Sequence, residues 1–215
     1  MPILDILAGL VTNIHFIFYV ISFFVGGIPF GLILAKKFAD ADLKSAGSQS
    51  IGATNVLRVV KEKNPSLAKK LAVITVALDA FKGVFMLIIG TLLSFDINAL
   101  WLMAIMAAAG HCFSPYLKFE GGKGVATGAG VMLFLLPIET LIAIVVWFIA
   151  GRILKISSAA SLLAVAALVV SVILIHGTIP HVNSFTPLVF IVFIILYKHI
   201  PNIVRLIKKE ESKVV

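Results

Sequence analysis

Three glycines and a lysine form a short polar segment between two apolar runs, Gly121-Gly122-Lys123-Gly124-Val125-Ala126-Thr127. Glycine lets the backbone bend tightly and bring its N–H groups close to a ligand, and lysine adds a positive charge that suits phosphate. The apolar run that follows predicts a helix whose N-terminus attracts anions at the same point. The segment therefore predicts a phosphate cradle at the mouth of a membrane helix. A glycine-rich turn with a solvated lysine is the alternative, and the spacing differs from that of a Walker A loop.

A second polar segment lies in the first long loop and reads GSQSIGATNVLR from Gly47 to Arg58. Small residues and hydrogen-bonding side chains dominate it. Its backbone N–H groups, together with Ser48, Thr54 and Arg58, are suited to enclosing an oxyanion. An ordinary cytoplasmic loop is the alternative interpretation.

The third polar segment, His199-Ile200-Pro201-Asn202-Ile203-Val204-Arg205-Leu206, follows the last apolar run. His199 and Asn202 are three residues apart and share a face if the segment is helical. Pro201 fits such a helix best in its first turn. His199 is suited to act as a base or a hydrogen-bond donor near neutral pH. The alternative is a histidine at a helix end that faces lipid headgroups.

Charged residues also occur inside an apolar run, where Asp79 and Lys82 stand three positions apart. Charges within a membrane are costly and usually face the protein interior and pair. We expect a mutual or interhelical ion pair that supports the site. His111 suits a structural hydrogen bond as well as a reactive role, and Cys112 is expected to be a small buried residue.

Metal and cofactor chemistry is not expected. The five histidines show no H-E-x-x-H spacing, and a single cysteine excludes both an intrachain disulfide and a multi-cysteine zinc site. The histidines at positions 15, 176 and 181 fall on the outer half, and no role is assigned to them. Nucleic acid is not an expected partner, because the positive charge is dispersed among apolar runs.

The composition places the chain in a membrane. Of its 215 residues 60% are hydrophobic and 13% are charged, whereas about a quarter of a soluble domain is charged. Repeated apolar runs predict an all-α, polytopic integral membrane protein. No removable signal peptide is recognised, and residues 1–215 are expected to form a single domain. No internal repeat is visible, which weakens an inverted-repeat transporter interpretation.

The apolar runs predict seven transmembrane helices, two of them short. The predicted spans are Ile14 to Ala35, Leu71 to Ser94, Leu100 to Leu117, Val125 to Leu136, Leu141 to Leu154, Ser157 to Thr178 and Phe185 to Tyr197. Lys36 to Lys70 is predicted to be a long polar loop, and Pro2 to Val11 an interfacial segment. Glycines and a proline between positions 26 and 31 predict a kink or a close helix contact.

The distribution of charge orients these helices. With seven spans, the loops on one side hold 17 of the 18 Lys and Arg residues, and the remaining one is Lys82 within a span. The positive-inside rule then places the N-terminus outside and the C-terminus in the cytoplasm. All three polar segments come to the cytoplasmic face. Together they fit a doubly charged phosphate ligand there. Such a site is compatible with both an enzyme and an anion transporter.

At these residues the chain resembles the PlsY family, the bacterial acyl-phosphate:glycerol-3-phosphate acyltransferases, almost from end to end. Gly27-Ile28-Pro29-Phe30-Gly31 is similar to the family's first-helix signature. The polar segments resemble its three motifs, S-G-N-x-G-A-T-N-x-x-R, G-G-K-G-x-A-T and H-x-x-N-I-x-R. This chain departs at Gln49 and Ser50, where the family usually has Gly-Asn.

The resemblance implies a seven-helix enzyme of the bacterial cytoplasmic membrane, with its active site facing the cytoplasm. Fatty acyl phosphate would acylate the 1-hydroxyl of glycerol 3-phosphate beside membrane lipid, giving lysophosphatidic acid and phosphate in the first step of phospholipid synthesis. By motif, the expected catalytic residues are Ser48, Arg58, Lys123, His199 and Asn202. The expected substrate-binding residues are Gly52, Thr54, Asn55, Gly121, Gly122, Gly124, Thr127 and Arg205.

Acyl phosphate is already an activated anhydride, so the protein mainly has to orient two anions and stabilise developing charge. Lys123 and Arg58 would neutralise the leaving phosphate. The base for the hydroxyl is either His199 or a substrate phosphate oxygen. A membrane carrier for a small organophosphate is the competing function, although the outer face lacks a basic residue to admit an anion.

Overall fold

The computed structural model describes residues 13–213, which contain helices and no strand. Within this range six spans, the first of them interrupted at Pro29, are long and apolar enough to cross a membrane, and Val125–Leu135 is a shorter apolar helix. This architecture confirms the predicted all-helical membrane class with seven apolar segments. The predicted interfacial segment, Pro2 to Val11, lies outside the described residues.

The first span consists of two helices, α1 (Ile14–Gly27) and α2 (Phe30–Ala39). The side chain of Asn13 caps α1 by accepting a hydrogen bond from the backbone N–H of His15 at 2.9 Å. Pro29 has no N–H to continue the helix, so the chain breaks there and restarts at Phe30. The predicted kink is confirmed, and the helical span extends beyond the predicted end at Ala35.

A glycine contact joins α1 to α5 (Ile97–Cys112). A Cβ atom on Gly26 would collide with the backbone of Ala107, and one on Gly110 would collide with the carbonyl of Phe23. The two helices therefore pack backbone against backbone, as small residues allow in membrane proteins.

The predicted loop from Lys36 to Lys70 contains a helix, α3 (Ala53–Lys61), and this part of the prediction is wrong. α3 buries Val56 and Val60 in a small apolar cluster with Leu43 and Leu71. The sequence analysis did not recognise the short amphipathic pattern of α3 among its polar residues. The helix is stabilised by tertiary packing of its apolar face. The next helix, α4 (Pro65–Leu92), is capped by Asn64 and begins before the predicted Leu71.

The short helix α6 (Val125–Leu135) leads directly into α7 (Pro137–Leu154). Residues 137–140, which separate two predicted spans, form the first turn of α7, because proline fits the position where an N–H has no helical partner. Of the two spans predicted to be short, α6 is short, whereas α7 has 18 residues and is long enough to cross a membrane. The separation into two helices, on which the count of seven depends, agrees with the prediction.

The last two helices are α8 (Ser157–His176) and α9 (Thr186–Ile207). The prediction ended the last span at Tyr197, whereas α9 continues to Ile207 with Pro201 inside it. The third polar segment is consequently helical, which fixes the direction of its side chains.

The buried charges form a compact cluster between helices. The Lys82 Nζ atom lies 2.7 Å from Asp79 Oδ1, 2.8 Å from the carbonyl oxygen of Ile28 and 2.9 Å from His111 Nδ1. The predicted mutual ion pair is present. At the opposite end of the bundle, His176 Nε2 lies 2.6 Å from a buried Glu139 carboxylate, a link between α7 and α8 that the sequence analysis did not foresee.

Candidate active site

A cavity of about 740 Å³ opens at the end of the bundle where the three polar segments lie. Segments distant in the chain therefore line one continuous space. The predicted site residues that line it are Ser48, Gly52, Thr54, Asn55, Arg58, Lys123, His199, Asn202 and Arg205.

Asn55 shapes the loop that carries Ser48. Its Oδ1 accepts a hydrogen bond from the Ser48 backbone N–H at 2.8 Å, and its Nδ2 donates to the carbonyls of Leu43, Ala46 and Ser50 at 3.1, 3.2 and 2.8 Å. The side chain is buried, and these bonds occupy its donors. Asn55 was expected to bind substrate, but its side chain is used to hold the loop.

α3 presents one face to the cavity through Thr54 and Arg58, which stand four residues apart. The Thr54 hydroxyl lies 3.0 Å from the hydroxyl of Ser157 at the start of α8. Arg58 donates from Nη2 to the Ser212 hydroxyl at 3.0 Å. α3 thus fixes a guanidinium at the cavity mouth.

The glycine segment passes so close to the end of α5 that side chains would not fit. A Cβ on Gly121 would collide with the His111 carbonyl, and one on Gly122 would collide with the His111 ring. The Gly122 N–H donates to the same carbonyl at 3.0 Å. Gly124 has a φ of 80°, a conformation that favours glycine.

Four predicted substrate-binding residues lie outside the cavity lining, namely Gly121, Gly122, Gly124 and Thr127. Thr127 is buried and donates its hydroxyl proton to the carbonyl of Asp79 at 2.8 Å. From this segment Lys123 reaches the cavity. Of the others, Gly121 and Gly122 pack against His111 and Thr127 bonds Asp79, and both His111 and Asp79 also line the cavity.

Burial and neighbouring charges lower the pKa of Lys123. Loss of hydration lowers that pKa most, the Glu211 carboxylate raises it, and Arg205 and Arg58 lower it further, to about 8. The ammonium is therefore a cation at neutral pH that loses its proton more easily than an exposed lysine does.

The third segment arranges His199, Asn202 and Arg205 along one side of α9. His199 and Asn202 are buried, with 1% and 2% of their surface exposed. The His199 Nδ1 atom lies 2.8 Å from the carbonyl oxygen of Ile195. Because a carbonyl only accepts, Nδ1 carries the proton, and neutral His199 offers Nε2 as its basic nitrogen.

Sequence reasoning missed two serines and an acidic residue at the same site. Ser157, Ser158 and Glu211 line the cavity. Ser158 Oγ and Asn202 Nδ2 lie 2.8 and 2.6 Å from Glu211 Oε1. The serines begin α8 on the predicted cytoplasmic side, and that position was the signal available in the sequence.

The cavity continues from its polar end into the bundle along apolar side chains. Apolar residues that line this part include Val76, Met132, Leu133, Ile144, Trp147, Leu168, Ile191 and Ile195. Leu133, Ile144 and Trp147, which line this part, are 43%, 41% and 40% exposed. Within residues 13–213, no group of three or more His, Cys, Asp or Glu side chains is placed to hold a metal ion.

Comparison with known proteins gives a consistent result. The chain matches the family described as Glycerol-3-phosphate acyltransferase over residues 16–209. It is 57% identical over 201 residues to a protein of Campylobacter lari named Glycerol-3-phosphate acyltransferase, covering 94% of this chain and 99% of that relative. A crystal structure of PlsY, an integral membrane glycerol 3-phosphate acyltransferase, in its glycerol 3-phosphate form is also similar, with 30% identity, a TM-score of 0.82, and 94% and 96% of the two chains covered. Its lysophosphatidic acid form gives 28% identity and a TM-score of 0.79, with 94% and 95% covered.

Proposed function

The chain belongs to the glycerol-3-phosphate acyltransferase family, and we propose that it transfers a fatty acyl group from acyl phosphate to the 1-hydroxyl of glycerol 3-phosphate. The products are lysophosphatidic acid and phosphate, and the reaction begins phospholipid synthesis. One observation carries the proposal. A single cavity joins a cationic, hydrogen-bonding end to an apolar extension, which matches one small phosphate ester and one amphipathic acyl phosphate.

The cationic end holds the two phosphate groups. Lys123, Arg58 and Arg205 supply positive charge from three separate segments, and charge-assisted hydrogen bonds to phosphate are the strong kind. Ser48 adds a hydroxyl at the mouth. The glycines of the second segment, together with Thr127 and Asn55, act by positioning Lys123 and Ser48.

The chemical step needs no covalent enzyme intermediate. The 1-hydroxyl oxygen attacks the carbonyl carbon of acyl phosphate, a new ester C–O bond forms, and the bond to the phosphate oxygen breaks with its electron pair. Lys123 and Arg58 stabilise the charge that develops on the leaving phosphate. Binding both reactants in one cavity supplies the orientation.

The hydroxyl proton has two possible acceptors, His199 Nε2 and a substrate phosphate oxygen. The Nδ1 hydrogen bond to Ile195 favours the first, because it fixes the tautomer with a basic Nε2. If His199 is the base, His199→Gln should lower kcat about 100-fold or more, and kcat/KM should no longer fall toward acid pH. If kcat/KM of His199→Gln still falls toward acid pH, the substrate phosphate is the proton acceptor.

The acyl chain occupies the apolar part of the cavity. Leu133, Ile144 and Trp147 line this part and are between 40% and 43% exposed. An acyl phosphate dissolved in the bilayer then enters sideways, between lipid-facing helices, and keeps its headgroup at the polar end. Glycerol 3-phosphate enters from the aqueous side.

We place the protein in the bacterial cytoplasmic membrane with the site facing the cytoplasm, the N-terminus outside and the C-terminus inside. One observation, read with the positive-inside rule, supports this orientation. The polar end of the cavity lies among the segments that hold 17 of the 18 basic residues, and basic loops stay on the cytoplasmic side.

The decisive experiment supplies purified protein with glycerol 3-phosphate and either palmitoyl phosphate or palmitoyl-CoA. The proposal expects lysophosphatidic acid and inorganic phosphate in equal amounts with the acyl phosphate. Lys123→Ala is the matched inactive control. Uptake of glycerol 3-phosphate into sealed vesicles without product would instead identify an organophosphate carrier.

A further inference from the structure

The apolar part of the cavity forms an arm between α6, α7, α8 and α9. On α8 the lining residues Ser161, Ala164 and Leu168 recur at helical spacing, so one face of this helix borders the arm. α8 begins at Ser157, which lines the polar end of the cavity. Leu168 comes eleven residues later, and the rise of an α-helix places it about 16 Å farther along the axis. The apolar arm is therefore deep.

A layer of buried side chains lies where the apolar arm ends. Leu136, Val172 and Leu188 each come three or four residues beyond a lining residue, and the lining does not include them. Their side chains are almost fully buried and belong to the main hydrophobic core. Because protein cores are close-packed, a hydrocarbon chain has no room to continue past this layer. These three residues form the floor of the apolar arm.

Two alanines keep the apolar arm open above its floor. Ala143 on α7 and Ala164 on α8 line the arm and are buried, and these two helices pack against each other. Ala164 precedes Leu168 by four residues, which is about 6 Å along the helix. A larger side chain at Ala164 would fill the part of the arm that lies next to the floor.

We propose that the apolar arm selects acyl phosphates by chain length, because Ala143 and Ala164 leave room for the chain and the floor stops its end. This inference rests on the proposed function, which identifies the occupant of the arm as the acyl chain. Carbon–carbon bonds of about 1.5 Å at about 111° advance an extended chain by roughly 1.25 Å each. The depth of about 16 Å along α8 thus corresponds to about 13 bonds, so the end of a fatty acyl chain reaches the floor.

The selection is steric. An acyl chain that enters from the bilayer leaves surroundings that are already as apolar as leucine side chains, so each further methylene gains little from burial in the arm. A chain that is too long has to displace close-packed side chains, and overpacking of this kind is costly. The floor and the residues directly above it therefore determine which chain lengths fit.

Ala164→Phe tests the inference by shortening the apolar arm. The ring would close the arm about one helical turn before Leu168, which corresponds to a loss of about four carbons. We expect kcat/KM for palmitoyl phosphate to fall at least about tenfold and kcat/KM for octanoyl phosphate to change less than about twofold. Ala166→Phe is the matched control, because Ala166 is an exposed residue of α8 outside the lining. Its chain-length profile should equal that of the wild-type protein.

Leu168→Ala tests the inference in the opposite direction and decides it even if Ala164→Phe does not fold. Removal of the leucine side chain deepens the apolar arm at the floor. The ratio of kcat/KM for stearoyl phosphate to kcat/KM for palmitoyl phosphate should rise at least about threefold. A ratio of two substrates measured on one protein does not depend on the fraction that is folded, so the expected loss of stability leaves it unchanged.

Alkyl phosphates test the apolar arm without turnover, because they have no acyl bond to break. A ligand that binds the folded protein raises its melting temperature. In a nonionic detergent, the rise for the wild-type protein should increase with chain length and then drop once the chain exceeds the arm. For Ala164→Phe the drop should come about four carbons earlier.

The results separate this inference from the proposed function. If Ala164→Phe and Leu168→Ala form lysophosphatidic acid with the chain-length profile of the wild-type protein, the function stands and the selection by the arm is wrong. If Ala166→Phe shifts the profile as Ala164→Phe does, a distorted α8 is the cause and the inference also fails. If the alkyl phosphates show the expected shift while no acyl phosphate yields lysophosphatidic acid, the selection by the arm stands and the acyltransferase function fails.

Discussion

At the scale of single residues, the protonation state of Lys123 makes substrate binding depend on pH. Its pKa of about 8 arises mainly from burial, so the free protein loses this cation between about pH 7 and pH 9. Glycerol 3-phosphate is already a dianion over this range, since the second phosphate pKa is about 6. We expect kcat/KM to fall above pH 8, because the neutral amine no longer attracts phosphate.

The variants of Lys123 separate charge from position. Lys123→Arg keeps its charge throughout this range and should lose the alkaline fall, even if its activity is lower. Lys123→Ala should lose about 100-fold or more in kcat below pH 8, where the wild-type lysine is charged. The assignment fails if Lys123→Arg shows the same alkaline fall as the wild-type protein.

Gln49 stands where the related family usually has glycine, and its backbone explains that preference. Its φ is 56°, in the left-handed region, where a Cβ costs roughly 1–2 kcal/mol. Gln49→Gly should therefore raise the melting temperature in detergent while leaving KM unchanged. Ser50→Gly is the control, because Ser50 does not have a positive φ and should gain no stability. A lower melting temperature for Gln49→Gly would show that the Gln49 side chain contributes more than its backbone strain costs.

At the scale of elements, the glycine segment functions through its fit against the end of α5. The His111 ring under Gly122 is held by Lys82, so it cannot move aside easily. Gly122→Ala should displace the loop and Lys123, and lower kcat/KM about 100-fold, because small misplacements at a reactive site are costly. Gly151→Ala is the control. A Cβ there meets only Ala160 at 3.7 Å, and its activity should be normal. Normal activity of Gly122→Ala would show that Lys123 tolerates a shifted loop.

The elements also show what sequence reasoning reached. Apolar length and charge placement predicted seven segments, and the kink at Pro29 and the pair of Asp79 with Lys82 followed from residue type. α3 was not predicted because its apolar face is only a few residues long. That face is recognised from its packing against Leu43 and Leu71. The predicted last span ends with the apolar run at Tyr197, whereas α9 continues to Ile207 through polar residues and Pro201.

Within the site, the sequence did not distinguish the motif residues that line the cavity from those that support its lining. Gly122 and Lys123 are adjacent in the sequence, yet one contacts His111 from behind and the other reaches the cavity. No sequence pattern identified Glu211 as a site residue. A single acidic residue in a basic tail can be assigned to the site only from its contacts with Ser158 and Arg205. Such facts depend on tertiary geometry.

At the scale of the whole molecule, the basic residues and the polar end of the cavity lie on the same side, and this predicts the orientation of the protein in the membrane. Cys112 is buried, so the wild-type chain is a low-background host for single added cysteines. Lys63→Cys lies on the exposed polar side between α3 and α4, and Asn98→Cys lies exposed in the first turn of α5 at the opposite end. A membrane-impermeant maleimide added to intact cells should label Asn98→Cys and spare Lys63→Cys. After the membrane is opened, both should react. Retained acyltransferase activity serves as the control for correct folding. The reverse labelling pattern would put the cationic mouth outside, away from the cytoplasmic supply of glycerol 3-phosphate, and the proposed orientation would be wrong.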